Sequence, residues 1–368
     1  MATDLVSASE DNESPQYLHV LDLPRLYQRP SSAILEAVLQ HFTLPPPSWD
    51  APTSTASAPE GFEKWLISVI SSPLSWMTDE EAELIRDSAS ERIAERCGRT
   101  ARGDVKRTFK IPLPSRPSVL GSASSRLLEK LGESGSVTSS GASTPALVSG
   151  LSTPSASSGT STPAATEQDF IEITLHEPAL TSDTLGHKTW ASSYLLSKRL
   201  HLLPPPSSRI LELGSGTGLV GLSAAAVWGV PVLLTDLPEI ISNLQRNIDS
   251  NLHLGIDCES QVLDWCDETE ASEEEKYETI LAADVVYEGS HPGLVAGVVG
   301  RWLAKGGRFV VEVPDRAGFE GEQKRFRECM EERGFRCQEE GREKGWDDWG
   351  SGGEAGQVGA WWSVWVWV

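Results

Sequence analysis

Apolar positions in the first hundred residues recur at helical spacing. Ile34, Leu35, Val38, Leu39 and Phe42 form one stripe, and Phe62, Leu66, Val69 and Ile70 form a second. Thr78 followed by Glu81 has the form of a capping box and predicts a helix running to Arg96 or Cys97, stopped by Gly98. The pattern then disappears. Residues 116–166 are Ser, Thr, Gly, Ala and Pro with few large apolar side chains. Such a composition buries too little surface to offset its ordering entropy and reads as disordered. The expected organisation is a helical extension over residues 1–115 that ends in a strand, an insert over 116–166, and an α/β domain over 167–368.

Beyond residue 209, strand-like and helix-like patterns alternate. Residues 209–213 read as a buried strand, followed by a glycine loop and the helix LVGLSAAAVWG. VPVLLTD is the next strand and ends at Asp236. The following helix carries Leu237, Ile240, Ile241, Leu244 and Ile248 as one apolar stripe. SQVLDW and YETILAADVVY are further strands. A helix near 292–303 stops at Gly306-Gly307, RFVVEV is a strand, residues 319–334 are a helix, and AWWSVWVWV has strand composition. Alternation of this kind implies an α/β fold with a Rossmann-like, doubly wound, mostly parallel sheet. RTFKIPL (107–113) and FIEITLHEP (170–178) alternate in a strand-like way on either side of the insert. They are expected to pair as an antiparallel hairpin, because loop closure costs grow only logarithmically with length.

Composition narrows the function classes. The 368 residues suffice for one sizeable core with a smaller appended unit. A formal net charge of -22 argues against direct nucleic-acid binding and suits a partner that presents lysine or arginine. No run of 18 apolar residues predicts a membrane span, and the acidic MATDLVSASEDNES is unlike a secretory signal. The five cysteines include no CxxC pair. A reduced, cytoplasmic, monomeric protein without a metal site is expected.

ILELGSGTGLVGL, residues 210–222, is the most informative stretch. Glycines on a strand–loop–helix turn allow close ligand approach. The spacing Gly214, Gly216, Gly218 departs from the dinucleotide fingerprint, since position 219 is Leu, and no Lys of a Walker loop is present. Glu212 before the loop would repel a pyrophosphate and tolerate a cationic ligand. Asp236, about 20 residues on, can accept hydrogen bonds from both hydroxyls of a ribose, with a simple helix N-cap as the alternative. The site therefore wants an adenosine-like ribose, no phosphate and positive charge, which S-adenosylmethionine supplies. Trp265, at the end of the third strand, could stack on a purine or simply pack in the core. Trp190 opens the helix before the glycine strand.

TWASSYLLSKRL, ILELGSGTGLVGL, LTDLPEIISNLQRN, LDW and AADVVY, in that order, resemble the seven-β-strand lysine methyltransferases, and within them the fungal elongation factor methyltransferases. The resemblance covers residues 170 to about 315, and residues 65–103 resemble that group's N-terminal extension. It implies a class I S-adenosylmethionine-dependent methyltransferase fold with a seven-stranded sheet, and a protein substrate with an accessible lysine on a translation elongation factor, elongation factor 2 favoured. By this resemblance Trp190, Gly214, Ser215, Gly216, Asp236, Trp265 and Ala283 would line the cofactor site, and Glu212, from its charge beside the loop, is counted with the cofactor-binding residues. Asp284 to Tyr287 match a D-x-x-Y signature at the fourth strand. Asp284 and Tyr287 are then the candidates for orienting the substrate ammonium. Two other readings stand beside it. One is a methyltransferase of small molecules or nucleic acids, for which the absence of an NPPY-type motif argues against base amino methylation. The other is a binding module that keeps the cofactor fold without chemistry.

Overall fold

The computed structural model describes residues 19–46, 49–50, 58–114, 169–180, 185–315, 320–348 and 356–368. At the front, α1 (Ser32–His41), α2 (Phe62–Ser71) and α3 (Asp79–Ala94) bury Leu35, Leu39, Phe62, Leu66, Val69 and Ile85 against one another. Ile34 is 51% exposed, so the first stripe is narrower than expected. The capping box is present. Thr78 Oγ1 accepts from the Glu81 N–H at 3.2 Å, and Glu81 Oε2 accepts from the Thr78 N–H at 3.1 Å. The helix it opens ends at Ala94, two or three residues early, and Gly98 follows with φ 95°.

Two strands, β1 (Val105–Pro112) and β2 (Phe170–Glu177), form a two-stranded sheet. The Leu113 N–H donates to the Asp169 carbonyl at 2.8 Å, and the Thr108 and Thr174 hydroxyls meet at 2.9 Å. Partner numbers fall as the chain rises, so the pairing is antiparallel, as the alternation predicted. The insert over 116–166 lies outside the described residues. Residues up to Ile111 and from Ile171 onward belong to one compact unit, and Pro112–Phe170 to another.

The large sheet contains β3 (Ile210–Leu213), β4 (Val232–Asp236), β5 (Cys258–Val262), β6 (Tyr277–Ala283), β7 (Leu303–Pro314), β8 (Phe335–Asp347) and β9 (Gly356–Trp367). Its order is β5-β4-β3-β6-β7-β9-β8, parallel throughout except that β9 runs antiparallel to both neighbours. This is the doubly wound, mostly parallel, seven-stranded arrangement that the resemblance implied. The connecting helices are α4 (Ala191–Arg199), α5 (Leu219–Trp228), α6 (Pro238–Ser250), α7 (His291–Trp302) and α8 (Glu320–Glu332). Ile280, Val295, Val299, Phe309, Phe326 and Trp365 close one core between sheet and helices.

The large sheet differs from the sequence expectation at several points, including β7, which begins at Leu303 rather than at Arg308. β5 ends at Val262, so Trp265 lies in the loop beyond the strand. β6 ends at Ala283, so Asp284 and Tyr287 also leave the sheet. β8 has no counterpart in the sequence reading. Its REKGWD-type run places charged residues along an edge strand, which protects the edge but hides the strand's apolar period. The chain winds from β3 toward β4 on one side and returns to β6 on the other. That reversal opens a crevice at the carboxyl ends of β3, β4, β5 and β6.

Candidate functional site

β3 is buried along its length and delivers the chain into the glycine loop, where Gly214, Gly216 and Gly218 have φ of 62°, 56° and 88°. At Gly216 a Cβ would stand 2.9 Å from the Gly186 carbonyl oxygen, so no side chain fits there. The loop is pinned from three directions. Asp236 Oδ2 accepts from the Gly216 N–H at 2.7 Å. The Thr189 and Thr217 hydroxyls meet at 2.8 Å, and Asn247 Nδ2 donates to the Thr217 carbonyl at 2.9 Å.

A cavity of about 360 Å³ opens over these strand ends, within the range of small-molecule sites. Gly214, Ser215 and Gly216 form its floor, with Asp236 from β4. Trp265 closes it from the β5 loop, Ala283, Asp284 and Tyr287 from the end of β6, and Trp190 from the start of α4. A Cβ at Gly214 would lie 3.0 Å from the Trp265 ring, so the indole rests directly on the loop. The Trp265 carbonyl is held by Arg301 of α7 at 3.2 Å. Asp236 makes two backbone contacts, since Oδ1 also accepts from the Leu237 N–H at 2.8 Å. Each carboxylate oxygen keeps a second lone pair, so anchoring α6 and receiving ribose hydroxyls are compatible. Burial raises the Asp236 pKa, and its bonds to Gly216 and Leu237 oppose the rise.

Glu212 does not line the cavity, which corrects its assignment to the ligand. It is 2% exposed and lies behind the loop, where Oε2 accepts from the Gly221 N–H at 3.0 Å. Gly221 is glycine because a Cβ there would stand 2.5 Å from that oxygen and 2.7 Å from Leu234. Burial pushes the Glu212 carboxyl up to about 8, against the hydrogen bond from Gly221. It is therefore mostly neutral at pH 7 and repels no phosphate by charge.

Asp284 is buried and has φ 59°, a conformation that costs most non-glycine residues about 1–2 kcal/mol. Two bonds hold it there. Its N–H donates to the Glu312 carbonyl at 2.9 Å, and Ser192 Oγ donates to Oδ2 at 3.1 Å. Ser192 lies in the first turn of α4, so the carboxylate is fixed between β6 and that helix. Tyr287 is 44% exposed at the cavity rim, its ring edge-on to His291 with centroids 4.4 Å apart.

Sequence reasoning missed four residues that the structure brings to the site. Ser192 and Asn247 position Asp284 and the loop. Lys188 is fully buried, paired with Asp348 at 3.0 Å, with Trp49 and Trp190 rings 5.2 and 4.5 Å away. His291 lines the cavity from the first residue of α7. The available signal for His291 was its place four residues after Tyr287, directly before a proline that opens a helix. Among the described residues, no group of three or more His, Cys, Asp or Glu could hold a metal ion.

A family model described as lysine methyltransferase matches residues 168–333. The fission-yeast protein-lysine N-methyltransferase rrg1 is 31% identical over 344 residues, covering 90% of this chain and 93% of rrg1. The budding-yeast protein-lysine N-methyltransferase EFM2 is 35% identical over 205 residues, 49% of each chain, so the match spans about half of that relative. An EEF1A lysine methyltransferase 3 from Xenopus tropicalis is 35% identical over 79 residues, 22% of this chain and 34% of that one.

Proposed function

The chain belongs to the lysine methyltransferases, enzymes that carry a methyl group from S-adenosylmethionine to a lysine of a protein, and we propose that its target is a translation elongation factor, elongation factor 2 before others. The ordered motifs shared with fungal elongation factor methyltransferases support that target, as does the EEF1A named in the Xenopus relative. An excess of 22 negative charges favours a lysine-bearing partner over a nucleic acid. We infer further that the protein works as a cytoplasmic monomer. Its five cysteines are free, and no helix among the described residues is long and apolar enough to cross a membrane.

The cavity fits the cofactor. It has the volume of a small ligand, a glycine floor too tight for a Cβ, a carboxylate at the ribose position and an indole on the loop. In our reading Asp236 accepts the ribose hydroxyls, Trp265 stacks on the adenine, and Gly214, Ser215 and Gly216 bring backbone close to the ligand. Trp190 and Ala283 complete its walls. S-adenosylmethionine supplies an electrophilic methyl group on a sulfonium.

The chain's own task is to present a neutral amine. A free lysine has a pKa near 10.4, so deprotonation at pH 7 costs about 4–5 kcal/mol. A desolvated channel lowers that cost. Asp284, fixed by Ser192 and by its own N–H, orients the ammonium, and Tyr287 guides it at the rim. Alignment then provides most of the acceleration as a proximity effect. The observation that carries this reading is the convergence of the D-x-x-Y residues on the cavity floored by the glycine loop. Incubation with labelled S-adenosylmethionine and fungal lysate tests it. Label on a lysine of elongation factor 2 is expected. Label confined to RNA or small metabolites would refute it.

A further inference from the structure

His291 lines the cavity alongside Asp284 and Tyr287 and has no part in the account above. Three features set it apart from a packing residue. First, its ring is held edge-on by two aromatic partners, Tyr287 at 4.4 Å and Trp265 at 5.6 Å between centroids, so its orientation is fixed at the site. Second, Nε2 lies 3.5 Å from Glu288 Oε2, and Glu288 is 69% exposed at its side chain, so a proton reaching the imidazole has a carboxylate leading to water. Third, His291 is the first residue of α7, where the helix N-terminus disfavours the imidazolium.

Resting on the lysine methyltransferase reading, we propose that His291 is the proton acceptor for the substrate lysine. The imidazole takes one proton from the incoming ammonium. The freed nitrogen lone pair forms the bond to the methyl carbon as the sulfur–carbon bond breaks, and that bonding pair returns to sulfur. The product lysine is a methylated ammonium, and the imidazolium releases its proton to solvent past Glu288. Charge and protons balance without any further reactant.

The electrostatics suit a base at neutral pH. Burial, the largest influence, lowers the His291 pKa below 6.5, and Glu288 and the Val285 backbone oppose it in part. Asp284, Tyr287 and Glu288 on its own connection, Asp264 and Cys266 on the β5 loop, Asp236 at the end of β4 and Lys188 before α4 are the titratable groups that line the cavity with it. An imidazole that is neutral when substrate arrives can accept a proton. One already charged cannot.

The test is the pH dependence of kcat/KM, measured on lysate proteins with labelled S-adenosylmethionine, for the wild type, His291→Phe and His291→Gln. Phenylalanine keeps the aromatic contacts and removes the base. In the wild type, kcat/KM should rise with pH and level off at a midpoint below 6.5. In both variants it should keep rising about tenfold per pH unit toward the lysine's own pKa near 10.4, with a deficit of about a hundredfold at pH 7 that closes at alkaline pH. A variant as fast as wild type at pH 7, or slowed equally at every pH, would overturn the proposal. If neither variant folds, the wild-type profile decides, because a steady rise with no plateau also overturns it. A wild type that labels no lysine would fail the underlying reading instead, and that outcome is visible in the wild-type arm alone.

Discussion

Single residues at this site do two jobs at once, and that governs what each substitution does. Asp236 ties down Gly216 and Leu237 while facing the cavity. Replacing it with alanine removes charge-assisted bonds worth about 1.5–3 kcal/mol, so affinity for S-adenosylmethionine should fall roughly ten- to hundredfold by calorimetry. Unchanged affinity would leave Asp236 as a helix anchor only. Glu212 gives a different prediction. Its folded pKa of about 8 lies above the ordinary glutamate value of 4.5, so the unfolded chain binds fewer protons between those values. Stability is therefore lost as pH rises through that window, by at most roughly 1.4 kcal/mol per pH unit. Glu212→Gln keeps an acceptor for Gly221 without the titration. It should melt higher than wild type at pH 8, and the gap should shrink toward pH 5. Asp236, Trp265 and the glycines were legible in the sequence because strand-end chemistry constrains residue type. The true direction of Glu212 was not. A carboxylate beside a glycine loop looks ligand-facing until the tight packing at Gly221 shows which side of β3 it occupies.

At the scale of elements, α6 does more than bury its apolar stripe. Asn247 and Asn251 reach β2 one turn apart. Asn247 Oδ1 accepts from the His176 N–H at 2.8 Å, and Asn251 Oδ1 accepts from the Thr174 N–H at 3.0 Å. The amide nitrogens of the same residues donate back to the His176 and Thr174 carbonyls at 3.1 and 2.8 Å. An edge strand that would otherwise offer open backbone groups is thus satisfied by side chains. Asn247 also holds Thr217, which links β2 to the glycine loop. Asn247→Ala should cost about 1–3 kcal/mol of stability and weaken cofactor binding as well. Asn251→Ala should cost comparable stability with cofactor affinity unchanged. Denaturant unfolding and calorimetry on both variants check the contrast, and equal loss of affinity in both would refute it. The sequence showed α6 as amphipathic through Ile240, Leu244 and Ile248, but the apolar period carries no sign that Asn247 and Asn251 bond to β2. β8 escaped for a related reason, since an edge strand rich in Glu, Arg and Lys carries little apolar alternation.

Across the whole molecule, a buried charge network joins the front extension to the wall of the cavity. Arg107 of β1 pairs with Asp348 at 2.6 Å, Arg99 with Glu177 at 3.4 Å, and Lys188 with Asp348 at 3.0 Å. Glu177 also accepts from the Thr189 N–H at 3.2 Å, one bond away from Thr217. Burial alone would raise the Asp348 pKa, but Lys188, Arg107 and Arg99 outweigh it and the pKa falls below 3.8. Its contribution is present above the unfolded pKa and is lost as pH drops through the lower folded value. Asp348→Ala removes the carboxylate that Lys188, Arg107 and Arg99 share and should cost about 3–5 kcal/mol, with a weaker dependence of melting on acid pH than wild type shows. Such a network is invisible in sequence, because Arg107 and Asp348 stand 241 positions apart and each looks like an ordinary surface charge. In the proposed function, methyl transfer to lysine happens in the cavity where Asp284 meets the glycine loop. Single-turnover transfer by Asp284→Asn tests it most directly, since asparagine tolerates the left-handed backbone and keeps an acceptor for Ser192. A rate lowered by about a hundredfold or more is expected, with melting temperature and cofactor affinity preserved. Transfer at the wild-type rate would contradict it.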